Sequence, residues 1–188
     1  MASKVQICNM ALTRLGAYQI VSLTEGTNEA NLCNTLFDDV AERVMVQGSW
    51  TTTIKRVSLA RTVNTPSFGF AYEFQLPTSP KCLKVLNVND PSAQTDYRIE
   101  GDKLLCDSDT VKIRYIAKLD NTSDYGPLLT EAVELMLAAY LAYPLTGKAE
   151  LADRLKAEYN EVLMTNLAVD NQQGAKDMII SDSLTWLR

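Results

Sequence analysis

The stretch from Gly126 to Gly147, GPLLTEAVELMLAAYLAYPLTG, decides the fold of this 188-residue chain. Its Gly-Pro opening is typical of a helix start, since Pro127 at the first helical position has no N–H to lose. The predicted helix, Leu128 to Tyr143, is apolar nearly all round, so other helices must surround it. The longest apolar run in the chain, Leu135 to Leu145, is about half the roughly 20 residues that cross a bilayer. We therefore expect a core helix and no membrane contact.

Three amphipathic patterns supply the surrounding helices. Ser3 and Gln6 form a capping box before an apolar stripe that stops at Gly16, which predicts helix one over about residues 3 to 16. A second stripe predicts helix two over about 28 to 47. A fourth helix is predicted over about 148 to 169, with charges at i,i+4 spacing on one face. We expect this face to contact water or a neighbouring subunit; its charged residues are Glu150, Arg154 and Glu158.

Between helices two and three the periodicity becomes alternating. Phe70 to Leu76 and Val111 to Lys118 alternate apolar and polar residues, as half-buried antiparallel strands do. Leu83 to Val88 and Trp50 to Leu59 are further predicted strands. Tyr97 to Cys106 is a predicted hairpin that turns at Glu-Gly-Asp.

Together these elements predict an α+β fold, with a bundle of about four helices, an inserted antiparallel β subdomain and an extended C-terminal tail. The predicted parts are a helical part over residues 1–49, the β subdomain over 50–118, a second helical part over 119–169 and the tail over 170–188.

The predicted tail lacks periodicity but holds more large apolar residues than a purely solvated segment would. Trp186 is the kind of anchor that fills a pocket on a partner, and docking back on the chain's own domain is an equally weighted alternative. The predicted docking residues are Met178, Ile179, Ile180, Leu184, Trp186, Leu187 and Arg188.

Composition removes several function classes. The chain has 18 Lys and Arg against 23 Asp and Glu, a net charge of −5, whereas a non-specific duplex binder carries a strong positive excess. The absence of histidine excludes Ser-His-Asp and Cys-His catalysis and His-ligated zinc. Four widely spaced cysteines without a CxxC pair predict free thiols in a protein made in a reducing cytosol. We expect no cofactor and no metal.

Paired carboxylates leave one enzymatic alternative open. A general acid and base could come from either of two acidic groups, as in a glycosidase acting on the cell wall. An amphipathic helix ordinarily holds solvated charge at such positions, which favours the structural interpretation. The two groups are Asp38, Asp39 and Glu42, and Glu131 and Glu134.

Two further features bear on contacts. Lys55, Arg56 and Arg61 form the densest basic cluster, and without interleaved aromatic residues it is more typical of a charged strand edge than of a single-strand nucleic-acid binder. Trp50 follows the helix stop at Gly48. We predict that it is a hinge packed between the helical and β parts.

An ordered series of short motifs resembles the tail tubular protein A family of tailed bacteriophages. After the first helix pair the series runs GSW at 48–50, GFAYEFQLP at 69–77, CLKVL at 82–86, VKIRYI at 111–116, LAYPLTG at 141–147, DNQQG at 170–174 and SLTWLR at 183–188. It covers nearly the whole chain, and no single motif in it is catalytic.

The resemblance implies a structural head-to-tail adaptor of a short-tailed phage virion, made in the host cytoplasm. A ring of identical subunits, commonly twelve, would lie between the portal protein and a tail nozzle similar to tail tubular protein B. The C-terminal tail would dock on the portal and the β subdomain would face the nozzle. The genome would pass through the lumen without specific binding. Twelve copies with a net charge of −5 each would carry a total charge of −60, and negative charge repels phosphate.

A cyclic ring needs two different complementary patches on each subunit. The charged face of helix four, with Glu150, Arg154 and Glu158, is the candidate that the sequence offers for an intersubunit contact. The cell-wall glycosidase remains the alternative function.

Overall fold

A computed structural model describes residues 2–48, 50–89 and 95–173 of the chain, and these residues have an α+β fold, as predicted. The helices are α1 (Lys4–Leu15), α2 (Asn28–Gln47), α3 (Pro127–Thr146) and α4 (Ala149–Gln173). The strands are β1 (Ile54–Leu59), β2 (Tyr72–Gln75), β3 (Cys82–Val88), β4 (Tyr97–Glu100), β5 (Lys103–Cys106) and β6 (Val111–Ala117).

Helix α3 is the centre of the helical part. It packs against α1, α2 and α4, and its buried side chains join theirs in one apolar core. Within the described ranges α3 alone is long and apolar enough to span a membrane, but more than half of that stretch is buried against the rest of the chain. The helix extends to Thr146, three residues beyond the predicted end, because Pro144 falls in the last turn and Gly147, at φ +69°, provides the stop.

The helix ends follow local capping. Ser3 Oγ accepts the Gln6 N–H at 3.2 Å, and the Gln6 side chain accepts the Ser3 N–H at 3.2 Å, which completes the predicted capping box. Thr27 Oγ1 accepts the Ala30 N–H at 3.3 Å, so α2 begins where it was predicted. At the other end of the bundle, the Tyr159 hydroxyl donates to Gln47 Oε1 at 2.6 Å and links α4 to the last turn of α2.

The predicted boundary between helix four and the tail is wrong by four residues. Helix α4 continues to Gln173, so residues 170–173 are helical rather than extended. The stretch between Gly147 and Gly174 contains no proline or glycine, and the helix therefore has no reason to stop at residue 169. Residues 174–188, which include every predicted docking residue of the tail, lie outside the described residues.

Two three-stranded antiparallel sheets form the β part. The first sheet has the order β1-β6-β3 and the second has the order β2-β5-β4. Alternate β6 residues, among them Ile113 and Tyr115, are buried in a small core between the sheets. Ile116, on the opposite side of β6, enters the helical core together with Leu83 and Leu86. Strand β6 therefore contributes to both cores.

Two of the predicted strands are shorter than expected. Residues Thr51–Thr53 form a 3-10 turn rather than strand, because the N–H and hydroxyl of Thr53 both donate to the Trp50 carbonyl, at 2.9 and 2.8 Å. Strand β2 begins at Tyr72 rather than Phe70, and the N–H of Ala71 donates to the Asp107 carboxylate at 2.9 Å instead of joining the ladder. The predicted hairpin is confirmed as β4 and β5.

Candidate interaction surfaces

Trp50 lies between the end of α2 and the start of the β part, and only 2% of it is exposed. Its indole Nε1–H donates to the Val44 carbonyl at 2.8 Å. The ring lies so close to Gly48 that a Cβ on that residue would be 2.3 Å from Cε2. These contacts fix the Trp50 ring in the helical core beside the end of α2, at the position where the sequence predicts a hinge.

The predicted intersubunit face of α4 is partly used within the chain. Glu150 and Arg154 are exposed. Glu158 accepts from Arg14 Nη1 at 3.3 Å and lies 3.7 Å from Arg154 Nε. The structure thus brings Arg154 and Glu158 together as an i,i+4 pair, and it adds a partner from α1.

Arg14 connects α1 to both α3 and α4. Its Nε donates to Oε1 of Glu134, while its Nη1 reaches Glu158. The Glu134 side chain is only 7% exposed, so Arg14 is the counterion of a nearly buried carboxylate. This role of Arg14 was not predicted from the sequence. The available signal was Glu134 itself, because a charge inside an almost wholly apolar helix needs a partner.

An open groove of about 390 Å³ runs beside this network between α1, α3 and α4. Three glutamates and one arginine supply its charge, and apolar side chains line the rest. Among the described residues Glu131 and Glu161 form no ion pair, and both are exposed. We call this surface the acidic groove; its charged residues are Arg14, Glu131, Glu158 and Glu161.

The first sheet carries the opposite charge. Strand β1 is an edge strand, so Lys55 and Arg56 of the predicted charged edge do lie at the edge of a sheet. Arg56 is paired directly with Arg114 of β6, and Lys112 of β6 is paired with Ser58. Side chains of directly paired residues share one side of a sheet, so three cations lie together. We call Arg56, Lys112 and Arg114 the basic sheet face. Arg61, beyond the strand, stacks its guanidinium over the Tyr72 ring at 4.8 Å instead.

The α1–α2 loop presents apolar side chains to solvent. Tyr18 is 86% exposed and Val21 is 90% exposed, although Ile20 between them is buried in the helical core. The Glu25 carboxylate accepts the N–H groups of Val21 and Ser22 at 2.8 and 3.1 Å, and these bonds lower the pKa of Glu25. The loop is therefore held in place while its apolar side chains face outward.

The β1–β2 loop presents a second apolar pair. Val63 is fully exposed and Phe68 is 89% exposed. Thr62, beside Val63, is fixed to Glu73 by its backbone N–H and by its hydroxyl, at 2.9 and 3.0 Å. This pair belongs to the β part, whereas Tyr18 and Val21 belong to the helical part. The signal in the sequence was the presence of large apolar residues within a segment rich in Thr, Asn, Pro, Ser and Gly.

No protein-family model matches the chain, and a comparison with curated proteins finds no match. Within residues 2–48, 50–89 and 95–173 there is also no group of three His, Cys, Asp or Glu side chains that could hold a metal ion.

The carboxylates of the enzymatic alternative are engaged mainly in ion pairs. Glu42 lies 2.6 Å from Lys118 Nζ and 3.5 Å from Lys81 Nζ, and the hydrogen bond from Lys118 lowers the pKa of Glu42. Asp38 lies 2.6 Å from Lys4 Nζ. A general acid needs a raised pKa, the opposite of the shift at Glu42. Of the remaining members, Asp39 and Glu131 are exposed, and Glu134 is bound by Arg14.

All four cysteines are free thiols. Cys8 of α1 and Cys33 of α2 are fully buried, and the hydrogen bond between them, together with burial, raises the pKa of Cys8. A raised pKa keeps a thiol protonated and unreactive. Both side chains belong to the apolar core, where α1 packs against α2.

Proposed function

We propose that this chain is a structural head-to-tail adaptor in the neck of a short-tailed phage, where copies of it form a ring between the portal and the tail nozzle. The ordered motif series from GSW at 48–50 to SLTWLR at 183–188 supports this assignment. The observation that carries the proposal is the outward display of large apolar side chains on two separate, hydrogen-bonded loops.

Isolated exposed apolar residues are ordinary, but two pairs of them on fixed loops favour the interpretation that partner proteins cover these surfaces. Tyr18 and Val21 are anchored to the helical core, whereas Val63 and Phe68 project from the β part. An adaptor must contact one component at one end and a different component at the other, and two such loops on different parts of the fold suit that task.

The work of such a protein is done by its interfaces, with no covalent bond made or broken. In the proposed ring the helical part and C-terminal tail meet the portal, and the β part meets the nozzle. Each copy has a net charge of −5, so the assembled ring has an excess of negative charge. Because phosphate is also negative, this charge favours sliding of DNA over binding.

Deleting residues 175–188 is expected to abolish portal binding without unfolding the protein. The deletion removes no described helix or strand, because α4 ends at Gln173. The measurement is co-sedimentation with purified portal, alongside circular dichroism to verify the fold. Phe68→Ala, an exposed change in the β part, is the control and should bind portal normally. A truncated protein that is folded and still sediments with portal would contradict the docking role of the tail.

A further inference from the structure

We infer that Cys8 of α1 and Cys33 of α2 are a dithiol that a small-molecule disulfide, such as oxidised glutathione, converts into a disulfide bond between the two helices. Both thiols are free in the reduced chain, so the bond is a covalent modification of the folded protein. The inference goes beyond the proposed function and does not depend on it, because it follows from the packing of α1 against α2.

Antiparallel packing places the two cysteines opposite each other. In the first turn of α1, Lys4 Nζ lies 5.3 Å from the centroid of the Phe37 ring of α2 and 2.6 Å from the Asp38 carboxylate. Cys8 is four residues further along α1, and Cys33 is four residues back from Phe37 along α2. Residues four apart share one face of a helix. Because α1 and α2 run in opposite directions, both steps lead the same way along the interface, and Cys8 faces Cys33.

Small side chains continue the same interface. Ala11 of α1 and Ala30 of α2 lie three residues beyond the two cysteines in that direction, and all four side chains are fully buried. Short side chains let two helices approach closely, and a disulfide needs Cα atoms about 4.4 to 6.8 Å apart. A hydrogen bond already joins the Cys8 and Cys33 side chains. The packing therefore brings the two sulfur atoms together within the apolar core.

The reaction is a thiol–disulfide exchange in two steps. The hydrogen bond from Cys8 lowers the pKa of Cys33, so Cys33 ionises first and its thiolate attacks oxidised glutathione. This attack forms a mixed disulfide on Cys33 and releases one glutathione thiolate. Cys8 then loses its proton and attacks the Cys33 sulfur, which forms the bond between the helices and releases the second glutathione. The dithiol loses two electrons, and the glutathione disulfide gains the same two.

Burial makes local opening the slow step of this oxidation. The reagent reaches Cys33 only when α1 separates briefly from α2, so the rate should level off as the concentration of oxidised glutathione rises. The new bond links the two helices on either side of the loop that presents Tyr18 and Val21 to solvent. In the proposed function the chain leaves the reducing cytosol with the virion, which would supply oxidising conditions; only this last point rests on that function.

Peptide mapping of the full chain tests the inference. The folded protein is incubated with oxidised glutathione, the remaining thiols are blocked, and the chain is digested with trypsin without a reducing agent. Trypsin cuts after Lys and Arg, so Cys8 lies in peptide 5–14 and Cys33 lies in peptide 15–43. We expect mass spectrometry to find these two peptides joined, and dithiothreitol to separate them. The intact oxidised chain should carry no bound glutathione.

The bond should also stabilise the fold. A native disulfide typically raises the ratio of folded to unfolded protein about 30-fold to 1,000-fold, so the urea midpoint should rise on oxidation and return on reduction. Cys8→Ala and Cys33→Ala should each abolish both the joined peptides and the shift of the midpoint. The matched control is Cys82→Ala with Cys106→Ala, which removes the two thiols of the β part and should keep both effects.

Two outcomes would overturn the inference. One is a folded chain in which peptides 5–14 and 15–43 stay separate after prolonged oxidation, with or without bound glutathione. The other is joining that occurs only in denaturing urea, because the two thiols would then meet in the unfolded chain and not between packed helices. Either result leaves the proposed function standing, since portal binding is tested separately by the tail deletion.

Discussion

Replacing Trp50 with alanine is expected to lower the free energy of unfolding by about 3 to 5 kcal/mol, the usual cost of deleting a large buried aromatic side chain. Trp50 is 2% exposed and packs in the helical core beside the α2 terminus. The substitution leaves a cavity and also removes the indole N–H that satisfies the Val44 carbonyl. Urea denaturation of the monomer, followed by far-UV circular dichroism, measures the change.

Two comparisons separate the contributions at this position. Trp50→Phe keeps most of the apolar volume and loses the hydrogen bond, so we expect an intermediate loss. Phe68→Ala removes an aromatic ring that is 89% exposed, and should change stability by less than about 0.5 kcal/mol. If Trp50→Ala were as stable as Phe68→Ala, the junction would not depend on the tryptophan.

Replacing Arg14 with methionine is expected to cost about 3 kcal/mol, because it leaves the carboxylate of Glu134 buried without a counterion. The Glu134 side chain is 7% exposed, and Arg14 itself is 35% exposed, which places the expected cost toward the lower end of the range for broken buried pairs. The same unfolding measurement applies.

The double variant Arg14→Met with Glu134→Met should recover most of the lost stability, since it removes the buried charge as well as its partner. Lys4→Met supplies the matched control. It breaks the ion pair between Lys4 and Asp38, in which the Lys4 side chain is 38% exposed and the Asp38 side chain is 62% exposed. Exposed ion pairs contribute only about 0 to 1 kcal/mol to the free energy of unfolding. Equal losses for Arg14→Met and Lys4→Met would show that burial of Glu134 carries no special cost.

Local signals were enough to predict much of the fold. The capping box at Ser3, the Thr27 cap and the glycine stops lie within a few residues of the helices they define, and α2 matches the prediction at both ends. The alternation of β6 predicted a half-buried strand, and the Gly101 turn predicted the β4–β5 hairpin. These features depend on neighbours in sequence, which is why a single sequence contains them.

Features that depend on distant residues could not be predicted in the same way. The sheet order β1-β6-β3 places the last strand between two earlier ones, and no local pattern specifies that arrangement. The pairing of Arg56 with Arg114 follows from the same order, and so does the basic sheet face. The Arg14–Glu134 contact joins residues 120 positions apart. The candidate surfaces were therefore visible in the sequence only as single residues or short local clusters, such as Glu134 within an apolar helix and Lys55 beside Arg56.

The most direct test of the adaptor proposal is electron microscopy of the purified protein mixed with the portal of the same virion. We expect closed rings of identical subunits, about twelve by the family resemblance, seated coaxially on the portal. Single subunits that do not bind the portal, in a preparation that also clears peptidoglycan, would contradict the adaptor proposal.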